Sequence, residues 1–200
     1  RNIWDAQTLM KALSLCDDPF LALAINLAFA CSLRMGELLG LTWSCVDISQ
    51  DSIDHDCAYI YIDKELQRIS RESLAQIGEK GIMFKFPTMR GCNSTVLALK
   101  EPKTKTSVRK VFLPRAVAEM LVERRKTIEE LKELLGDEYR DYDLVFASTQ
   151  GTPTEANYIN RAFDKLITEN NLPKVVFHSL RHTSTTYKLK LSGGDIKAVQ

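Results

Sequence analysis

Two hundred residues, 44% of them hydrophobic, suffice for one well-formed core and suggest a single domain. No run of about eighteen apolar residues occurs, and the longest candidate, Phe20 to Leu33, is broken by Asn26, so a soluble chain with no membrane partner is expected. The five cysteines lack any Cys-x-x-Cys spacing, which argues against a disulfide framework or zinc site and for a reducing cytoplasm. A net charge of +1 conceals segregation: Lys100 to Arg115 holds six basic residues against Glu101, whereas Glu119 to Asp143 is rich in carboxylates.

In chain order, Asp5 caps a first amphipathic helix whose apolar side is Leu9, Met10 and Leu13. Asp17-Asp18-Pro19 stops it and starts a second, which is apolar nearly all round to about Ser32 and is expected at the centre of the core. Arg34 then falls between two hydrophobic segments and needs an anionic partner. Either it pairs with Glu37 as structure alone, or Glu37 orients it so that its remaining donors meet a phosphate. Trp43 and Val46 are expected to pack.

A strand is predicted over Cys57 to Asp63, followed from Glu65 to Ser94 by an extended, glycine-punctuated insertion with one short strand at Ile82 to Phe86. Strands at Thr95–Lys100 and Lys110–Leu113 flank the loop Glu101 to Arg109, which puts Lys103, Lys105 and Arg109 at a hairpin tip. That tip is either a solvated turn or an element entering a DNA groove. Pro114 opens a long helix to about Leu135, with Gly136 ending it. Asp143 to Ala147 reads as a short buried strand or extended chain, and Thr154 starts a further amphipathic helix through Ile159, Phe163, Leu166 and Ile167.

His178 opens a helix to about Leu191, Gly193-Gly194 breaks it, and Asp195 caps another that Gln200 cuts after one turn. The chain is therefore expected to continue past Gln200, and Arg1 without a starting Met suggests a preceding portion. His178-Ser-Leu-Arg-His182 carries two of the three histidines. At helical spacing His178, Arg181 and His182 share one side, which could present one strong phosphate binder and one proton carrier. With Arg34 and Lys103 they make a cationic set with no carboxylate cage for magnesium, which outlines phosphoryl transfer without metal or cofactor.

Ala30-Cys-Ser-Leu-Arg-Met-Gly-Glu-Leu-Leu-Gly-Leu-Thr-Trp43, Pro102-Lys-Thr-Lys-Thr-Ser-Val-Arg109 and His178-Ser-Leu-Arg-His-Thr183, in that order, resemble the tyrosine recombinase (phage integrase) family across its catalytic domain. The chain is most similar to integrases of phages and conjugative transposons. The resemblance implies an α+β fold, mainly helical with a small antiparallel β-sheet at one edge. It implies catalytic roles for Arg34, Lys103, His178 and Arg181, support from Glu37 and His182, and contacts to double-stranded DNA from Lys105 and Arg109. Lys105 is the alternative to Lys103 as hairpin lysine.

It also implies tetramers on DNA and a 3'-phosphotyrosyl intermediate in the parent enzyme, whose N-terminal DNA-binding domain lies outside residues 1–200. Two departures stand out. Cys31-Ser32 replaces the more usual Thr-Gly, which is expected to change packing and not chemistry. The family's nucleophilic tyrosine falls beyond Gln200, and Tyr187 does not match it, so this stretch is expected to bind DNA without cleaving it. Two other classes fit the same residues: a non-catalytic DNA-binding protein keeping the recombinase fold, and a helical interaction module whose arginines are merely paired.

Overall fold

The computed structural model describes residues 2–88, 94–102 and 104–184. Helix α1 (Ala6–Ser14) begins where the Thr8 amide donates to Asp5 at 2.8 Å, and α2 (Pro19–Ala30) where the Phe20 amide donates to Asp18 at 2.9 Å. Because α2 has no polar face, it can only be central, and Leu21, Leu23, Ala24, Ile25, Leu27 and Ala28 are all buried. It packs against α3 (Met35–Leu39), α6 (Arg115–Leu135) and α7 (Ala156–Glu169). Trp43 is buried and Val46 packs against the same core, as expected.

The class is α+β with the helices dominant, but the strands form two three-stranded antiparallel sheets and not one. The first has the order β1 (Val46–Asp47), β2 (Tyr59–Ile62), β6 (Arg109–Phe112), and the second β3 (Glu65–Ser70), β5 (Thr95–Lys100), β4 (Ile82–Lys85). The stretch after Glu65 is more ordered than its composition suggests. It contains β3 and a helix α5 (Arg71–Ile77), capped where the Ser73 amide donates to Ser70 Oγ at 3.0 Å. β3 has few buried side chains, so its apolar alternation is faint. A short helix α4 (Gln50–Asp54), capped by Ser49, likewise carried no strong periodic signal.

The predicted hairpin between the fifth and sixth strands does not form. β2 and β3 are successive parts of one run: β2 pairs with β6, ending at Ile62↔Arg109, and β3 pairs with β5, beginning at Glu65↔Lys100. β5 and β6 therefore lie end to end along the same run, each with its own partner. The loop between them leaves at the break in the ladder beside Asp63 and Lys64. There the Lys64 ammonium is held by Asp63 at 2.6 Å, Cys45 Sγ at 3.1 Å and Thr42 at 3.2 Å.

Residues 144–147 are buried but form no strand: Leu144 bridges to Thr42 and Ala147 to Pro153 with a turn between them, and Asp143 is exposed at a φ of +60°. The Arg124 guanidinium, on the apolar stripe of α6, donates to the Val145 carbonyl at 2.9 Å and the Ala147 carbonyl at 2.7 Å. It satisfies a backbone that no strand pairs. α7 starts one turn position later than its sequence suggests, with Glu155 as cap and Thr154 buried. No helix among the described residues is long and apolar enough to cross a membrane.

Candidate active site

The first half of the site is built on α3, a helix of five residues that would not hold its own shape in water. It is fixed by tight packing on β3: a Cβ at Gly40 would lie 2.7 Å from the Leu66 nitrogen, and one at Gly36 would lie 3.2 Å from the Leu66 oxygen. The Glu37 carboxylate turns back to accept the Arg34 backbone N–H at 2.9 Å, closing the first turn. Arg34 Nη1 donates to Glu37 Oε1 at 3.1 Å and to Ser107 Oγ at 3.3 Å, while the side chain stays 46% exposed.

Glu37 is 1% exposed, and its main partner is Arg109. Arg109 donates Nη1 to Oε1 at 3.1 Å and Nη2 to Oε2 at 3.0 Å, a two-pronged pair across 72 residues. Burial pushes the Glu37 carboxyl up, but the hydrogen bonds from Arg109 and the Arg34 amide, with both positive charges, outweigh it and hold the carboxyl below the usual range. Glu37 is thus ionised at neutral pH. Ser107 is itself buried and meets Thr104 Oγ1 at 2.9 Å, which ties the loop after Pro102 to Arg34.

The second half is the turn of helix over residues 179–184. An aromatic chain anchors its start: Trp4 lies 5.3 Å from Phe163, and Phe163 lies 5.4 Å from buried Phe177, immediately before His178. His178 and His182 are exposed, with ring centroids 5.2 Å apart at 83°. Arg181 is half-buried. Burial and then the charge of Arg34 hold its guanidinium below the ordinary arginine range, with Glu37 opposing and Arg109 adding to the shift. Arg34, Arg109 and Arg181 therefore share one electrostatic neighbourhood around Glu37. The two halves also touch directly, Ser32 Oγ lying 2.9 Å from Ser184 Oγ.

Of the residues singled out in the sequence, Arg34, Glu37 and Arg109 are joined directly, and the Ser32–Ser184 contact brings the turn carrying Arg181, with His178 and His182 beside it, to the same neighbourhood. Arg109 is not at a hairpin tip: it opens β6 and grips Glu37. Lys103 and the Lys105 side chain lie outside the described residues, as do Tyr187, the part beyond residue 184 of the helix expected to reach Leu191, and the cap expected at Asp195. The sequence reading missed Ser107, the Ser32–Ser184 contact and the part played by Arg109. No spacing rule links positions so far apart, and only the glycines at 36 and 40, one helical turn apart, hinted at close packing. Among the described residues no three His, Cys, Asp or Glu side chains come together as a metal site.

Three forked cations around a buried carboxylate, one of them on a turn flanked by two imidazoles, make a site suited to a tetrahedral oxyanion. A family model described as the phage integrase family matches residues 89–200, more than half of the chain, and the chain belongs to that family. A tyrosine recombinase XerC-like protein of Caldanaerobacter subterraneus subsp. tengcongensis is 31% identical over 176 residues, 86% of this chain and 39% of that relative. The integrase of transposon Tn1549 superposes at a TM-score of 0.67 with 20% identity, covering 100% of this chain and 56% of that one. XerA recombinase superposes at 0.61 with 19% identity, covering 100% and 55%. The chain thus spans 39% to 56% of the length of these three relatives. At these identities the superpositions speak for the fold.

Proposed function

We propose that these residues are the catalytic domain of a site-specific DNA recombinase, and that Arg34 and Arg181 clamp the non-bridging oxygens of one DNA phosphate. The observation that carries this reading is the 2.9 Å contact of Ser32 Oγ with Ser184 Oγ, which joins the segment bearing Arg34 to the helical turn bearing Arg181 and so brings two bidentate donors from distant parts of the chain to one neighbourhood. Solved relatives support DNA as the partner: the Tn1549 integrase is described in complex with a circular intermediate DNA, and XerH with its difH substrate.

In the parent enzyme, a tyrosine hydroxyl attacks the clamped phosphorus. The new bond is P–O to tyrosine, the bond to the 5' oxygen breaks, and Lys103 supplies the proton to that leaving oxygen. His178 exchanges a proton with the attacking or leaving oxygen at ordinary pH. The arginines act most strongly when the phosphorane develops extra negative charge. Glu37 keeps both Arg34 and Arg109 charged and oriented, and His182 supports His178. Lys105 contacts the DNA backbone; Arg109 reaches it with whatever donor capacity Glu37 leaves. The parent carries a separate N-terminal DNA-binding domain and works as a tetramer on DNA in the bacterial cytoplasm, without metal.

No tyrosine of this stretch matches the nucleophile's position, so the 200 residues taken alone bind duplex DNA without forming an adduct. The test has two arms. Affinity for duplex DNA should fall steeply between 50 and 200 mM salt, by roughly tenfold or more, as counterions are released; a flat response removes the DNA-facing surface. On a suicide substrate, a chain extended past Gln200 should give a covalent adduct that the 200 residues do not. An adduct from the 200 residues alone overturns the assignment of the missing nucleophile.

A further inference from the structure

We infer that Ser32 and Ser184 are positioning residues for the phosphate grip, setting the distance between the two arginine-bearing segments through their paired hydroxyls. The inference rests on the reading of Arg34 and Arg181 as a phosphate clamp and adds to it the device that sets the jaws.

Ser32 precedes Arg34 by two residues, and Ser184 follows Arg181 by three, one turn along the same helix. Their oxygens are 2.9 Å apart, Ser184 is 1% exposed, and either hydroxyl can donate. The contact closes a ring of short segments: Ser32 to Arg34, Arg34 toward Arg181, Arg181 to Ser184, and back to Ser32. It is a side-chain bond joining the two arginine-bearing segments.

The backbone of Ser32 argues that the hydroxyl has a purpose. Its φ is +55°, a conformation that glycine adopts freely and serine adopts at a cost. The preceding helix α2 has ended, the chain must reverse to place Arg34, and a glycine would turn here without strain. A serine at this position accepts the strained conformation and gains the one atom that reaches Ser184. Being nearly buried, the Ser184 hydroxyl would otherwise lack this partner.

The probe is inorganic phosphate, read by the guanidinium Nε resonances of Arg34 and Arg181 in nuclear magnetic resonance, with thermal unfolding measured on the same samples. In the unaltered chain both resonances should move with one midpoint. Ser32→Gly relieves the strained φ while deleting the hydroxyl, so its unfolding temperature should stay within a few degrees while the phosphate midpoint weakens by about fivefold, the size of one net hydrogen bond. Ser184→Ala should weaken it similarly, the double variant no further than either single one, and Ser184→Thr should restore it by keeping a hydroxyl. If phosphate moves neither arginine in the unaltered chain, the clamp itself is wrong. If phosphate binds and Ser32→Gly and Ser184→Ala bind it as tightly as the unaltered chain, the clamp stands and the positioning role is lost. Should affinity fall only in step with stability, the pair is structural and the inference fails.

Discussion

Arg109 grips the buried carboxylate of Glu37 through both terminal nitrogens, at 3.0 and 3.1 Å, and the same carboxylate holds the backbone and guanidinium of Arg34. One acid from a five-residue helix thus orders two arginines from separate elements. Removing it should cost more than any single contact suggests, because two positive charges are left facing each other without a counter-charge. Glu37→Ala is expected to lower stability by about 3 kcal/mol, within the range for breaking a buried pair. Urea unfolding measures it; a loss below about 1 kcal/mol would mean that solvent already satisfies both arginines.

The same carboxyl predicts a pH dependence. Its folded pKa is held below its unfolded value, so the folded state binds fewer protons there and gains stability that is complete above about pH 5. That stability should disappear as pH falls through the depressed folded value. Urea midpoints from pH 7 down to pH 3 should therefore fall less steeply for Glu37→Gln than for the unaltered chain, and parallel curves would assign the acid sensitivity to other carboxylates.

Arg34 and Arg181 should behave as ligand-binding residues and not as structural ones. Arg34 is 46% exposed and Arg181 half-buried, so alanine at either should leave cooperative unfolding in place. Duplex affinity should weaken about tenfold, and the slope of log affinity against log salt should become shallower by about one unit for each. Unfolding of both variants without a selective loss of binding would favour a helical interaction module with paired arginines.

Close packing of α3 on β3 gives a further test. Gly40→Ala would force a methyl to within 2.7 Å of the Leu66 nitrogen and 3.0 Å of the Glu65 carbonyl carbon, both backbone atoms that cannot turn aside. A cost of about 1–3 kcal/mol is expected, with a loss of phosphate affinity as Arg34 moves with its helix. Gly78→Ala meets nothing within 4 Å and, despite its φ of +72°, should leave phosphate affinity unchanged. Equal effects on binding would separate Arg34 placement from this contact.

Part of this was legible in the residues themselves. The apolar sweep of α2 and the stripe of α6 announced buried and half-buried helices, since periodicity and local capping are properties of neighbours in sequence. The spacing of His178, Arg181 and His182, and of Arg34 and Glu37, placed each set on one helical turn for the same reason. β3 and α5 were harder, because partly exposed elements with few buried side chains leave little pattern to read.

Sequence alone therefore named the candidate phosphate-binding residues and determined which helices form the core, because both follow from side-chain chemistry and short-range geometry. Tertiary structure alone decided that β5 and β6 lie end to end on one strand run, that Arg109 turns inward to Glu37, and that Ser32 meets Ser184. Those choices depend on which long-range partner satisfies a buried charge or an open sheet edge, and 72 or 152 intervening residues carry no local trace of it.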